Sequence, residues 1–97
     1  MARIDIADFD LSDRNVTKLW GHGIVSDQLY AVLDRLWTVM RNRKDRTASH
    51  VLLGTDDQGR CLAIPIVATD DAIVWRPKTA RYCKPGGAAI LLQRRPG

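Results

Sequence analysis

After a short alternating start, the period of the apolar residues is helical to about residue 37 and extended beyond residue 40, and these changes predict the order of the elements. At the start, Arg3-Ile4-Asp5-Ile6 alternates polar and apolar and reads as a short opening strand. Ser12 or Asp13 can then cap a helix running to about residue 20, on which Val16, Leu19 and Trp20 share a face. Gly21-His22-Gly23 ends it, because glycine accepts the left-handed conformation that closes a helix. Ser26 opens a second helix whose apolar stripe is Leu29, Val32, Leu33, Leu36 and Trp37. Asp27 falls in its first turn, near the positive end of the helix dipole.

Beyond residue 40 the helical period disappears. Arg41-Asn42-Arg43-Lys44-Asp45-Arg46 has no apolar repeat and reads as a basic connector. Strand candidates follow at 50–55, 61–68 and 72–76, the last continuing towards Tyr82. Asp56-Asp57-Gln58-Gly59 and Thr69-Asp70-Asp71 supply the turns between them. Pro65 has no N–H to give a ladder, so its strand lies at an edge or is bulged there. Residues 88–92, after Pro85-Gly86-Gly87, fit a strand or a helix equally well. The pattern predicts an α+β domain: a short N-terminal strand, two helices, then an antiparallel meander of three or four strands.

Size and composition narrow this picture. The 97 residues make one domain, 1–97, and 45% hydrophobic content is enough for a modest core. No stretch approaches the roughly 18 apolar residues of a membrane-spanning helix. The first residues lack the apolar core of a secretory signal, so the expected compartment is the cytoplasm. Cys61 and Cys83 lie in no metal-binding spacing. A disulfide between them is open, but two reduced thiols are the preferred reading in that compartment. No cofactor and no metal site are expected.

Charge is unevenly placed. Residues 1–40 carry six Asp against four Lys or Arg, whereas residues 41–97 carry eleven Lys or Arg against five Asp. A polyanionic partner for the second half is the functional reading; a solvated basic surface is the plain one. The chain has no Glu, so any carboxylate role falls to an Asp.

Several short signatures, taken in order, resemble one family. Asp13-x-Asn15 is followed after six residues by His22-Gly23-Ile24, and Ser26-Asp27 opens a helix behind it. Leu52-Leu53-Gly54 precedes a turn, Gly59-Arg60 leads an apolar strand, and Arg76-x-x-Thr79-Ala80-Arg81 closes the run. Over about residues 9–82 this arrangement resembles the BrnT toxins, ribonuclease members of bacterial type II toxin–antitoxin pairs. The resemblance implies a RelE-like fold, metal-independent endoribonuclease activity on RNA, and a ribbon-helix-helix antitoxin as partner. A homodimer or a hetero-tetramer with that antitoxin would follow, with no membrane association. The chain departs from the family at Asp27-Gln28, where an acidic pair is usual, and at Thr79, where serine is usual. In its tail, 83–97, an apolar run replaces a charged helix.

Metal-free RNA cleavage requires a base for the 2′-hydroxyl, an acid for the leaving oxygen and cations for the phosphorane. His22 is the proton-transfer candidate the family pattern favours, with a helix-end structural role as the alternative; His50 is the second. Arg81 is the candidate for transition-state stabilisation, since its planar fork matches two phosphate oxygens, against a strand-end ion pair. Arg76, Lys78, Arg60, Arg41, Arg43, Lys44 and Arg46 are candidates for contacting the RNA backbone. Arg76 and Arg81 are five residues apart, so a regular strand sends them to opposite faces, whereas a bulge or kink at Pro77 could bring them together. The other reading of the same residues is a non-catalytic module that binds RNA or a protein partner.

Overall fold

The computed structural model describes residues 5–11, 23–35, 37–42 and 48–84. The expected helix at 12–20, with Asn15, Trp20 and His22, lies outside these residues, as do Arg43, Lys44, Arg46 and the tail from Pro85.

Six strands form one mixed sheet: β1 (Asp8–Phe9), β2 (Trp37–Arg41), β3 (His50–Thr55), β4 (Cys61–Ala68), β5 (Val74–Pro77) and β6 (Arg81–Tyr82). Their order is β1-β5-β4-β3-β2, and β6 pairs with β4 on the same side as β5. A single helix, α1 (Ser26–Leu33), is found among the described residues. This corrects the expected fold. The sheet is not an antiparallel meander behind two helices, because β1 runs parallel to β5 and mixes the sheet.

Two local choices account for the difference. The first described strand is Asp8–Phe9, where Phe9 enters the core beside Trp75; Asp5 and Ile6 lie outside it, and residues 3 and 4 are not among those described. The second helix stops early. Asp34 and Arg35 donate to carbonyls three residues back, Ala31 and Val32, which tightens and closes the last turn. Trp37-Thr-Val-Met, with one aromatic and two β-branched side chains that suit a strand, pairs in register with β3. Trp37 was assigned to the helical stripe because it is four residues past Leu33. Sheet pairing overrides that period.

α1 packs its stripe against the sheet. Leu29 and Val32 are fully buried with Ile24, Leu52, Leu62, Ile64 and Ile66, and Ile6, Phe9, Trp75 and Ala80 complete the core. The opposite face of the sheet holds a smaller cluster, Leu53 and Ala63, flanked by Met40, Val51, Cys61 and Cys83.

Pro65 lies in a central strand, opposite Val51 of β3. Its carbonyl accepts the Lys78 N–H at 2.8 Å, so its nitrogen faces the same neighbour and has no hydrogen to return. The ladder breaks there. Ile66 pairs with Pro77 and Leu62 with Tyr82, so five steps on one strand match four on the other. One extra residue is therefore accommodated between β5 and β6, as in a β-bulge.

Cys61 and Cys83 form a disulfide with Cα atoms 5.3 Å apart, which corrects the expectation of two free thiols. Their separation of 22 residues in sequence says nothing of register, but the Cys83 N–H donates to the Cys61 carbonyl and both side chains leave the same face. The bridge ties the two-residue β6 to β4. Replacing both cysteines by serine should lower unfolding free energy by about 3 kcal/mol for a loop of this length. Urea denaturation of the double variant, beside oxidised and reduced wild type, checks this.

Candidate nucleic-acid interface

The bulge opposite Pro65 determines where the basic residues go. Arg76 pairs across from Val67 and Arg81 across from Ala63, four residues apart on β4, so both arginines leave one face of the sheet. The cause is the missing N–H of Pro65, which lies on β4 midway between the partners of the two arginines, Ala63 and Val67.

The two arginines differ in their surroundings. Arg76 donates from Nε at 3.2 Å and from Nη2 at 2.8 Å to Asp10 Oδ2, and both side chains are about half exposed. The pair lines an open depression with Ala68, Thr69, Asp70 and Asp71, so Arg76 stands among carboxylates. Arg81 is exposed and has no ion-pair partner among the described residues. Lys78 is half-buried at the bulge, and Lys84, just past the disulfide, is exposed.

His50 does not join Arg81. It stands opposite Ile66 and packs edge-on against Trp75, with ring centroids 5.5 Å apart, while Ser49 Oγ and His50 Nδ1 share a 2.8 Å hydrogen bond. Two strand spacings and three residues along β4 separate it from Arg81, about 14 Å, and the two point to opposite faces. Arg41 is farther still, at the end of edge strand β2 beside His50. His22, Arg43, Lys44 and Arg46 fall outside the described residues.

From sequence, Arg60 is a candidate for contacting the RNA backbone, with a solvated side chain as the plainer reading; the structure gives it a defined seat. The β3–β4 turn closes with the Gly59 N–H on the Asp56 carbonyl and Gly59 at φ +79°, a conformation that favours glycine. The turn buries the Asp56 side chain completely. Asp56 Oδ1 accepts the N–H groups of Gln58 and Arg60, both at 2.9 Å; Oδ2 accepts Arg60 Nε at 2.9 Å and Gln28 Nε2 at 3.2 Å. Burial is the largest single influence and opposes ionisation of this carboxyl. The Arg60 N–H, the Gln28 amide, the Gln58 N–H and the Arg60 guanidinium together outweigh burial and hold its pKa below the ordinary 3.8.

Gln28 links this turn to the helix and to β6. Its Oε1 accepts the Val25 N–H at 2.9 Å at the start of α1, and its Nε2 also reaches the Tyr82 hydroxyl at 3.2 Å. The Arg60 guanidinium carbon lies 5.4 Å from the centroid of the Tyr82 ring. Gln28 and Asp56 escaped sequence reasoning for different reasons. Gln28 occupied a position read only as a lost acid, and Asp56 read as an ordinary turn former. The signal available was the offset of four from Asp56 to Arg60 across a glycine turn.

Among the described residues, no group of three or more His, Cys, Asp or Glu side chains is arranged to hold a metal. No described helix is long and apolar enough to cross a membrane. Compared with known proteins, the chain matches no family model and no curated protein.

Proposed function

We propose that this domain is an endoribonuclease toxin of a type II toxin–antitoxin pair that cleaves RNA by 2′-hydroxyl attack without a metal. The observation that carries the reading is Arg81: an exposed guanidinium with no described counter-ion, on a short strand held by a disulfide. An unneutralised guanidinium on a tethered strand suits charge developing on a phosphorane. Arg60, Lys78 and Lys84 flank the same edge of the sheet and supply backbone contacts. Arg76 contributes less, because a phosphate reaching it also meets Asp10. The resemblance of the His22-Gly23 and Arg76-to-Arg81 signatures to the BrnT toxins supports the same reading and supplies the proposed partner, a ribbon-helix-helix antitoxin.

The proposed compartment is the cytoplasm, where the RNA is. Reducing thiols there keep most such bridges open, so the reduced protein is assayed beside the bridged one.

One observation favours a second reading, a non-catalytic module that binds RNA or a protein. His50, the one histidine among the described residues, is turned onto the helix side of the sheet and set edge-on against Trp75, away from Arg81. Induced expression in a bacterial host separates the two. Growth arrest by wild type, relieved by Arg81→Ala at equal protein level, is the expected result. Unchanged growth with folded wild-type protein accumulating would favour the binding module.

A further inference from the structure

Long arginine side chains on a surface are usually mobile, and holding one in a single pose costs rotamer entropy that the fold must offset. Arg60 is held. Its Nε is anchored 2.9 Å from a carboxylate oxygen of Asp56, which is itself completely buried and fixed by two backbone N–H groups. Its side chain nonetheless remains 45% exposed, and its two terminal nitrogens have no hydrogen-bond partner among the described residues. Beneath it lies the Tyr82 ring, 40% exposed, whose rotation is set by the Gln28 amide on its hydroxyl. The result is a guanidinium held over an aromatic ring, pinned at its Nε and open outwards.

We infer that Arg60 and Tyr82 form a stacking subsite for one unpaired nucleobase of a single-stranded RNA, with Asp56 and Gln28 as positioning residues. The inference rests on the reading of the domain as a protein that acts on RNA. An unstacked base is recognised by π-faces of aromatic rings and arginine planes without regard to sequence. The unspent Nη donors of Arg60 are free to meet a phosphate or base oxygen beside it. Arg81 and Tyr82 are consecutive on β6 and leave opposite faces. An RNA strand crossing this short edge therefore places a base on the Arg60–Tyr82 stack and a phosphate at Arg81.

The test uses a fluorescent ten-nucleotide oligoribonucleotide methylated at its 2′-oxygens, which 2′-hydroxyl attack cannot cleave, and inorganic polyphosphate as a competitor without bases. Binding is read by anisotropy, and each variant's unfolding midpoint is measured in parallel. Arg60→Lys keeps the charge and removes the plane; Tyr82→Phe keeps the ring and removes the hydroxyl. The expected result is that Arg60→Lys and Tyr82→Leu each weaken the oligonucleotide by about tenfold. Polyphosphate affinity should be unchanged in Arg60→Lys, and Tyr82→Phe, which keeps the ring but loses the Gln28 contact, should weaken the oligonucleotide less than Tyr82→Leu does. Equal loss of oligonucleotide and polyphosphate in Arg60→Lys reduces the site to charge alone and overturns the subsite. If Arg60→Lys binds like wild type while Arg81→Ala is weakened, the subsite is overturned and the RNA reading stands. Folded wild type that binds neither probe overturns both.

Discussion

Asp56→Ala should lower the unfolding free energy by about 3 kcal/mol, more than any other single change in the described part of the sheet outside the apolar core. The carboxylate accepts four hydrogen bonds, from the N–H groups of Gln58 and Arg60, the Arg60 Nε and the Gln28 amide. Removing it leaves donors facing a cavity in the turn, loosens Arg60 and unlinks α1 from the β3–β4 hairpin. Asp56→Asn should be milder, since an amide oxygen can still accept from the backbone. The same carboxyl predicts a pH dependence. Its pKa is lowered in the folded state, so it contributes stability above the ordinary value of 3.8, and that contribution is lost as pH falls below it. Urea midpoints measured from pH 7 to pH 3 should fall steeply at the acid end for wild type and less steeply for Asp56→Asn. Parallel acid limbs in the two proteins would count against this account of the turn.

Arg81→Ala should reduce RNA cleavage by about 100-fold, the scale of removing one preorganised donor from developing oxyanion charge. Stability should hardly change, because Arg81 is exposed and unpaired among the described residues, and β6 is retained by its ladder and by Cys83. Arg81→Lys should recover only part of the rate, since an ammonium offers a point charge in place of a two-pronged fork. Arg76→Ala, which releases Asp10 as well as removing a cation, should affect cleavage less than Arg81→Ala.

The parts of this fold legible in the sequence are those fixed by neighbours along the chain. The strands His50–Thr55 and Cys61–Ala68 were readable because apolar runs meet a turn rich in Asp and Gly. The start of α1 at Ser26 was readable for the same local reason. Non-local choices were hidden. Leu33 and Trp37 satisfy a helical period as well as Trp37 and Val39 satisfy a strand, and only pairing with β3 decides between them. The parallel placement of β1 against β5 depends on partners more than sixty residues apart, which no periodicity reports.

The candidate site divides the same way. A bulge was the stated condition for bringing Arg76 and Arg81 together. Its cause was also in view, a proline in the middle strand, but linking the two requires knowing that β4 pairs with both β5 and β6. The disulfide depends on that same register. His50 shows the opposite limit. Its residue type suited proton transfer, and its strand position turns it towards Trp75 on the other face.

The most direct measurement is incubation of the purified, partner-free protein with a defined oligoribonucleotide in EDTA, beside Arg81→Ala, with fragment ends identified by mass spectrometry. The account predicts fragments ending in 2′,3′-cyclic phosphate and 5′-hydroxyl from wild type, and almost none from the variant. Intact RNA after incubation with folded wild type, or equal cleavage by both proteins, would contradict it.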